Sequence, residues 1–189
     1  MPNPASPLKV LQISAPGWDD ALLASSLCGA ESGCEVRQAG SAPGLRAAIA
    51  EQQWDVALFV TGVSISLPTA LRIIEERIPD LPLIAILPEA DGQAGLRALK
   101  AGARDVVDLG HPELLLPAIE REVRQAGYRA DHRVALEMLK ESEDRFRAIA
   151  SNLPGMLFQL RRESGGEYRF LYVSEGCQKL FGYKQHEFI

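Results

Sequence analysis

Short apolar runs alternate with longer amphipathic segments up to about residue 127. Several of the runs are apolar almost throughout, which is typical of strands covered on both faces of a parallel sheet. They predict five strands, at Leu8–Ile13, Cys34–Ala39, Asp55–Val60, Leu83–Leu87 and Asp105–Leu109. The segments between and after them predict five helices, at Trp18–Leu27, Pro43–Gln53, Pro68–Ile78, Gly92–Ala101 and Pro112 to about Gln125.

Strands and helices that alternate in this way predict an α/β fold with a parallel sheet and right-handed crossovers. The pattern favours a flavodoxin-like sheet of five strands in the order 2-1-3-4-5, with helices on both faces. In such sheets, functional sites form at the carboxyl ends of the strands. The residues that follow the predicted strands are therefore the first candidates for a site.

The pattern changes after residue 126. The segment Ala126–Ala150 is rich in charged residues and helix formers. Apolar positions with the 4-3-4 spacing of a coiled coil lead into it, at Ile119, Val123, Ala126 and Ala130, and Gly127 interrupts them. The segment predicts either a solvated connector helix or a dimerising signal helix. Two strand-like runs follow, with a turn signal at Glu163–Gly166 between them and a short helix after them. These runs are Met156–Arg161 and Tyr168–Val173, and the helix is Glu175–Phe181.

The predicted organisation is a disordered tail over residues 1–7, an α/β domain over 8–127, a connector helix over 128–150 and a partial α+β domain over 151–189. A chain of 189 residues has room for one full domain and part of another. A net charge of −5 argues against a nucleic-acid partner. No apolar run approaches the roughly 20 residues that span a bilayer, and the first residues lack the features of a signal peptide, so we expect a cytoplasmic protein. The three cysteines and three histidines show no zinc spacing, and no metal site is expected.

Framework residues of the first region resemble those of a response-regulator receiver domain. The octad Ala98–Asp105 is similar to the family pattern A-L-x-A-G-A-x-D, and Leu81–Ile86 is similar to its fourth strand with the leading proline. Asp55–Leu58 matches the run that leads to the phosphoacceptor aspartate. The resemblance covers residues 8–127 and implies a domain of two-component signal transduction.

The functional positions of that family are altered in this chain. A working receiver holds Mg²⁺ in a cage of oxygen ligands, which includes two acids after the first strand and the acceptor aspartate. The resemblance places the acidic pair at Ser14 and Ala15, and the acceptor at Val60. The phosphate-contacting hydroxyl falls at Leu87 and the lysine at Leu109, and the aromatic switch falls at Val106. Together these departures predict a degenerate receiver, or pseudo-receiver, without catalytic residues or a cofactor.

Nearby polar residues offer an alternative, a phosphorylatable receiver with a rebuilt acidic site in a phosphorelay. Serine and threonine are weak nucleophiles unless a base is positioned beside them. The more ordinary interpretation is that these side chains are solvated or cap helices. The possible substitutes on this rim are Asp19, Asp20, Thr61, Glu89 and Asp108, with Asp91, Ser64, Ser66 and His111 close by.

The last part of the chain resembles the front half of a PAS sensory domain. The residues that carry the resemblance are Ser142–Gly155, Phe170–Ser174 and Leu180–Tyr183. The later strands, which usually complete the ligand pocket, are missing from this sequence, so the PAS ligand stays unknown. An incomplete sheet exposes apolar strands and edges, which favours self-association through the connector helix or the PAS segment.

The leading hypothesis is a non-catalytic regulatory module of a bacterial signalling protein. It would act through contacts with a protein partner or a second copy of itself, and no contact with a membrane is expected. The resemblance implies an output domain downstream, either a cyclic-di-GMP enzyme or a histidine kinase. A third hypothesis is a small-molecule binder on the same fold. It is disfavoured because the sequence has no glycine-rich phosphate loop after the first strand, where Ser14–Gly17 is too short to be one.

Overall fold

The computed structural model describes residues 7–15, 33–88 and 91–188. The chain divides into two compact units, Met1–Asp131 and His132–Ile189. Two predicted segments lie outside the described residues. They are the tail over residues 1–7, except Pro7, and the helix Trp18–Leu27.

The first unit contains a parallel sheet whose five strands lie in the order β2-β1-β3-β4-β5. This confirms the predicted flavodoxin-like fold, and each observed strand lies within one residue of its predicted bounds. The strands are β1 (Leu8–Ile13), β2 (Cys34–Ala39), β3 (Val56–Val60), β4 (Leu83–Leu87) and β5 (Asp105–Asp108). The helices between them are α1 (Ala42–Glu51), α2 (Leu67–Glu75) and α3 (Gly92–Ala101).

Every residue of β3 and β4 is buried, as the apolar runs predict. Successive side chains of a strand point to opposite faces of the sheet. Ala57 and Phe59 of β3 therefore join one core cluster, which includes residues of α1, α2 and α3. Val56, Leu58 and Val60 join a second cluster on the other face. The central strands are thus packed on both sides.

The helices of the first unit begin and end at residues suited to those places. Ser41, Ser66 and Asp91 cap the N-termini of α1, α2 and α3, and the side chain of each accepts a hydrogen bond from a backbone N–H in the first turn. Helix α3 ends at Gly102, whose φ of 114° lies in the left-handed region. That conformation strains a residue with a Cβ atom, so glycine is favoured here.

The next helix is longer than the sequence pattern predicts. A short 3-10 helix at Pro112–Leu114 leads into α4 (Leu115–Asn152), a continuous α-helix of 38 residues. The expected separate helices, one ending near Gln125 and a connector from Ala126, are one element. Gly127 interrupts the apolar spacing without breaking the helix, because a single glycine costs only about 1 kcal/mol in a helix interior.

The second unit contains an antiparallel hairpin of β6 (Phe158–Arg162) and β7 (Tyr168–Val173). A short helix, α5 (Gly176–Phe181), follows. The first residue of α5, Gly176, packs directly on the backbone of Gly155. A Cβ atom on Gly176 would lie 1.9 Å from the Gly155 carbonyl oxygen, so only glycine fits there. The ring of Phe146, on the part of α4 that belongs to this unit, contacts Tyr172 of β7 at 5.5 Å between centroids. Local backbone contact and aromatic packing therefore hold this small unit together.

Within the described ranges, 7–15, 33–88 and 91–188, every helix is too short or too polar to span a lipid bilayer.

We predict that Gly102→Ala lowers the free energy of unfolding by about 1–2 kcal/mol, because alanine is strained in the left-handed region. Equilibrium urea denaturation measures the change. Gly92→Ala is the matched control, since a Cβ atom there meets nothing within 4 Å and its φ is not positive. Equal stability of the Gly102→Ala variant and the parent chain would contradict this explanation of the end of α3.

Candidate functional site

The carboxyl ends of four parallel strands meet at one edge of the sheet, which we call the rim. The rim consists of the residues that end or follow β1, β3, β4 and β5. It contains each position that the receiver resemblance assigns to phosphoryl chemistry. These positions are Ser14 and Ala15 after β1, Val60 at the end of β3, Leu87 at the end of β4 and Leu109 after β5.

Two side-chain amides converge on the position assigned to the first acid. Ser14 is fully buried, and its Oγ accepts hydrogen bonds from Gln12 Nε2 at 2.9 Å and from Gln38 Nε2 at 2.7 Å. Gln38 Nε2 also donates to the Ala15 carbonyl oxygen at 3.0 Å. A divalent cation needs oxygen lone pairs directed toward it. At Ser14 those lone pairs are directed toward N–H donors instead.

Hydrocarbon fills the other assigned positions. Val60 is 1% exposed and belongs to the same buried cluster as Ile86 and Val107, and Leu109 packs against that cluster. Leu87 is also buried. Val106, the aromatic-switch position, packs against the cluster on the opposite face. None of these side chains has an atom that can accept a phosphoryl group or neutralise its charge.

Several of the possible substitute residues have structural roles. Ser66 caps α2, and its Oγ lies 2.8 Å from Thr69 Oγ1. Ser64 Oγ donates to the Gly40 carbonyl oxygen at 2.8 Å, and Asp91 caps α3. Thr61 is exposed, and Asp108 is half-buried at the end of β5. Asp19, Asp20 and Glu89 lie outside the described residues.

His111, the one histidine expected beside this rim, contacts an acid on its own segment. Its Nδ1 lies 3.1 Å from Glu113 Oε1. The pKa of Glu113 is lowered, chiefly by a hydrogen bond from its own backbone and then by the His111 contact. No bond joins His111 to Thr61 or Ser64 in the described part of the chain, so no hydroxyl here has a positioned base. Among those residues, no group of three or more His, Cys, Asp or Glu side chains is placed to hold a metal ion.

A cleft of about 530 Å³ lies beside the rim, between α2 and α3. Its base contains Phe59, Ala85 and Leu87, and Thr61, Asp91 and Arg97 lie at its polar boundary. Three alanines of α3 line one wall, at positions 94, 98 and 101. This cleft was not predicted from the sequence. The feature of the sequence that could have indicated it is the 4-3 spacing of these alanines. Such spacing places small side chains on one face of a helix, and they leave space against a neighbouring helix.

Several solved structures with this fold are receiver domains. The chain is similar to the receiver domain of a sensor histidine kinase from Pseudomonas aeruginosa PAO1, at 16% identity and a TM-score of 0.52, over 62% of this chain and 98% of that one. It is similar to a CheY-like receiver domain protein from Methanospirillum hungatei JF-1, at 24% identity and a TM-score of 0.52, over 66% and 99% of the two chains. It is also similar to the response regulator domain of Thermotoga maritima CheB, at 17% identity and a TM-score of 0.53, over 62% and 97%.

No family model matches the sequence, and no curated protein matches it. The first unit therefore has the flavodoxin-like fold of receiver domains, and the structural comparisons establish the fold alone. The Pseudomonas structure holds a magnesium ion coordinated in its active-site cleft.

We predict that Val60→Asp destabilises the chain at neutral pH by roughly 3 kcal/mol, because it buries a carboxylate without a compensating charge. Burial raises the pKa of such a carboxyl above its unfolded value, so the penalty is present at pH 7 and shrinks as the pH falls through the folded-state pKa. Urea denaturation of this variant and of Val60→Ala across that pH range measures the difference.

The Val60→Ala control separates the effect of lost packing from that of buried charge, since its loss of unfolding free energy should not depend on pH. Millimolar Mg²⁺ should leave the Val60→Asp deficit unchanged. If Mg²⁺ restored the stability of this variant, the rim would hold a cation and our description of it would be wrong.

Proposed function

We propose that this chain is a non-catalytic regulatory module of a bacterial signal-transduction protein. Its first unit is a receiver scaffold that does not accept a phosphoryl group and acts through protein contacts. The observation that carries the proposal is the composition of the rim, where hydrocarbon side chains and a hydroxyl held by two amides occupy the positions assigned to acids, acceptor, hydroxyl and lysine.

Phosphoryl transfer to a receiver requires three things at once. A carboxylate must attack the phosphorus, a cation must neutralise the developing charge, and positive or hydroxyl side chains must hold the transferred group. Val60 supplies no nucleophile, and Leu109 supplies no positive charge. One change would leave a partial site, whereas these changes together remove each component. The packed sheet remains, and its helices present the surfaces through which a scaffold can signal.

The second unit is proposed to be the beginning of a PAS sensory domain, joined to the scaffold by α4. Support comes from the β6–β7 hairpin and the short helix that follow the motif Ser142–Gly155. In this layout the module precedes an output domain, either a cyclic-di-GMP enzyme or a histidine kinase, and the enzymatic activity belongs to that domain. The location proposed for such a module is the cytoplasm.

The chain is further proposed to form a homodimer through α4. Within the second unit, Ala135, Leu139, Ser142, Phe146 and Ile149 follow the 4-3-4-3 spacing of a coiled-coil seam. Leu139 is 58% exposed and Ile149 is 56% exposed, so much of the apolar stripe faces solvent. A second copy of the same helix would cover it with matching knobs and holes. Ion pairs along the helix, such as Glu141–Arg145 at 2.7 Å, stabilise the helix itself only slightly.

Incubation with Mg²⁺ and acetyl phosphate should leave the intact mass of the chain unchanged. A phosphorylated species would be heavier. Hydroxylamine would remove the added mass from an acyl phosphate on an acid but not from a phosphate ester on Thr61. Two variants serve as controls, Thr61→Ala for a substitute hydroxyl acceptor and Asp19→Asn for a substitute acid. A saturable mass gain that either variant abolishes would establish the rebuilt acidic site and overturn the scaffold proposal.

Leu139→Glu should shift the chain from dimer to monomer at tens of micromolar, because it places a charge in the seam. Light scattering with size-exclusion chromatography measures the mass. Lys140→Glu is the matched control, since it introduces the same residue one position along, outside the seam. A monomeric parent chain, or a Leu139→Glu variant that stays dimeric, would contradict the proposed interface.

A further inference from the structure

We propose that the cleft between α2 and α3 binds a small zwitterion with an apolar tail, of the class of neutral apolar amino acids. This inference stands on the geometry of the cleft and requires neither phosphorylation nor its absence. It assigns to the first unit an input that a receiver scaffold without an acceptor otherwise lacks.

The size and lining of the cleft suit a small molecule. Its volume of about 530 Å³ lies within the range of roughly 300–1,000 Å³ that is typical of ligand sites. Phe59, Ala85 and Leu87 form an apolar base on the ends of β3 and β4, and Leu67 and Pro68 form a wall at the start of α2. Phe59, Ala85 and Leu87 are already buried, whereas Leu67 and Pro68 are not. An apolar tail would therefore gain affinity chiefly by leaving water itself and by covering this wall.

The alanines of α3 keep the cleft open. Ala94, Ala98 and Ala101 lie on the same face of the helix, and each ends at Cβ, so the helix fills little of the space against α2. Larger side chains at these positions would close the cleft by intramolecular packing. The floor is rigid, because Ala85 and Phe59 belong to the buried core of the sheet. A preformed site of this kind costs a ligand little protein reorganisation.

The polar groups at the mouth carry opposite charges and are only loosely paired. Arg97 Nη2 lies 3.7 Å from Asp91 Oδ2, which is longer than a hydrogen bond. The other carboxylate oxygen, Oδ1, accepts the capping bond from the Gln93 N–H at 2.9 Å. Asp91 Oδ2 therefore keeps acceptor capacity, and the Arg97 guanidinium keeps donor capacity.

This arrangement selects the charge pattern of the ligand. An ammonium group can donate to Asp91 Oδ2 while a carboxylate on the same molecule accepts from Arg97, and both contacts are charge-assisted. A ligand with a carboxylate alone would be repelled by Asp91, and one with an ammonium alone would be repelled by Arg97. A zwitterion meets both charges, and its apolar side chain then extends toward Leu87 and Phe59.

Isothermal titration calorimetry on the full chain, without Mg²⁺ or a phosphoryl donor, tests the proposal. The probes are L-leucine, L-methionine and L-phenylalanine. For each amino acid that binds, the matched analogues are its amide, which lacks the carboxylate, and its des-amino acid, which lacks the ammonium. For leucine these are L-leucinamide and 4-methylpentanoate. We expect saturable binding of at least one amino acid, with its analogue for each charge weaker by about tenfold, the loss of one charge-assisted hydrogen bond.

Two variants locate the site. Ala94→Leu fills the cleft and should abolish binding, whereas Gln93→Leu makes the same kind of change one residue away, outside the cleft lining, and should bind as the parent does. Arg97→Gln changes an exposed side chain and should weaken leucine binding to the affinity that the parent chain has for L-leucinamide. Circular dichroism verifies that each variant is folded.

Three results would each overturn the proposal. The first is the absence of saturable binding for all three amino acids. The others are equal binding of leucine and leucinamide, and undiminished binding by Ala94→Leu and Arg97→Gln. None of these results bears on the phosphorylation experiment. A chain that accepts phosphate but binds leucine would refute the scaffold proposal alone, and a chain that does neither would refute the cleft proposal alone.

Discussion

Burial of β3 on both faces is the constraint on which the rest of the first unit depends. Because every side chain of this strand is removed from water, each position must be apolar or fully paired, including the last one, Val60. A receiver places a charged acceptor at that end of the strand and offsets its cost with a cation and a lysine. Here the end of the strand continues the core instead, and Val60 packs in the same cluster as Ile86 and Val107.

The neighbouring positions are consistent with that substitution. At a position that the resemblance assigns to an acid, Ser14 accepts hydrogen bonds from Gln12 and Gln38. Leu87 and Leu109 are apolar as well, so neither side chain can donate to a phosphate or offset its charge. In the proposed scaffold these positions agree with one another, because a single charged side chain left among them would be buried without a partner. The proposed ligand cleft lies beside this rim, where the alanines of α3 leave space.

Local patterns predicted the first unit well, because its strands are short, continuous apolar runs and its helices have clear capping residues. Helix α3 was predicted at its observed bounds, since Asp91 caps its start and Gly102 ends it. The length of α4 was not predicted, because Gly127 and the drop in apolar residues look like a boundary although the backbone continues through them. The amides on Ser14 and the cleft beside Leu87 also escaped prediction. Gln12 is close to Ser14 in sequence, but Gln38 and the two sides of the cleft come from separate elements that only the sheet order brings together.

Backbone amide NMR during titration with beryllofluoride and Mg²⁺ tests the central claim most directly, because this mimic of a phosphoryl group binds only where a carboxylate, a cation and a cationic side chain converge. We expect no saturable shifts at the amides of Ser14, Val60, Leu87 and Leu109, at any concentration that leaves the chain folded. Saturable shifts centred on these residues, dependent on both Mg²⁺ and fluoride, would show that the rim still binds a phosphoryl group and would contradict the claim.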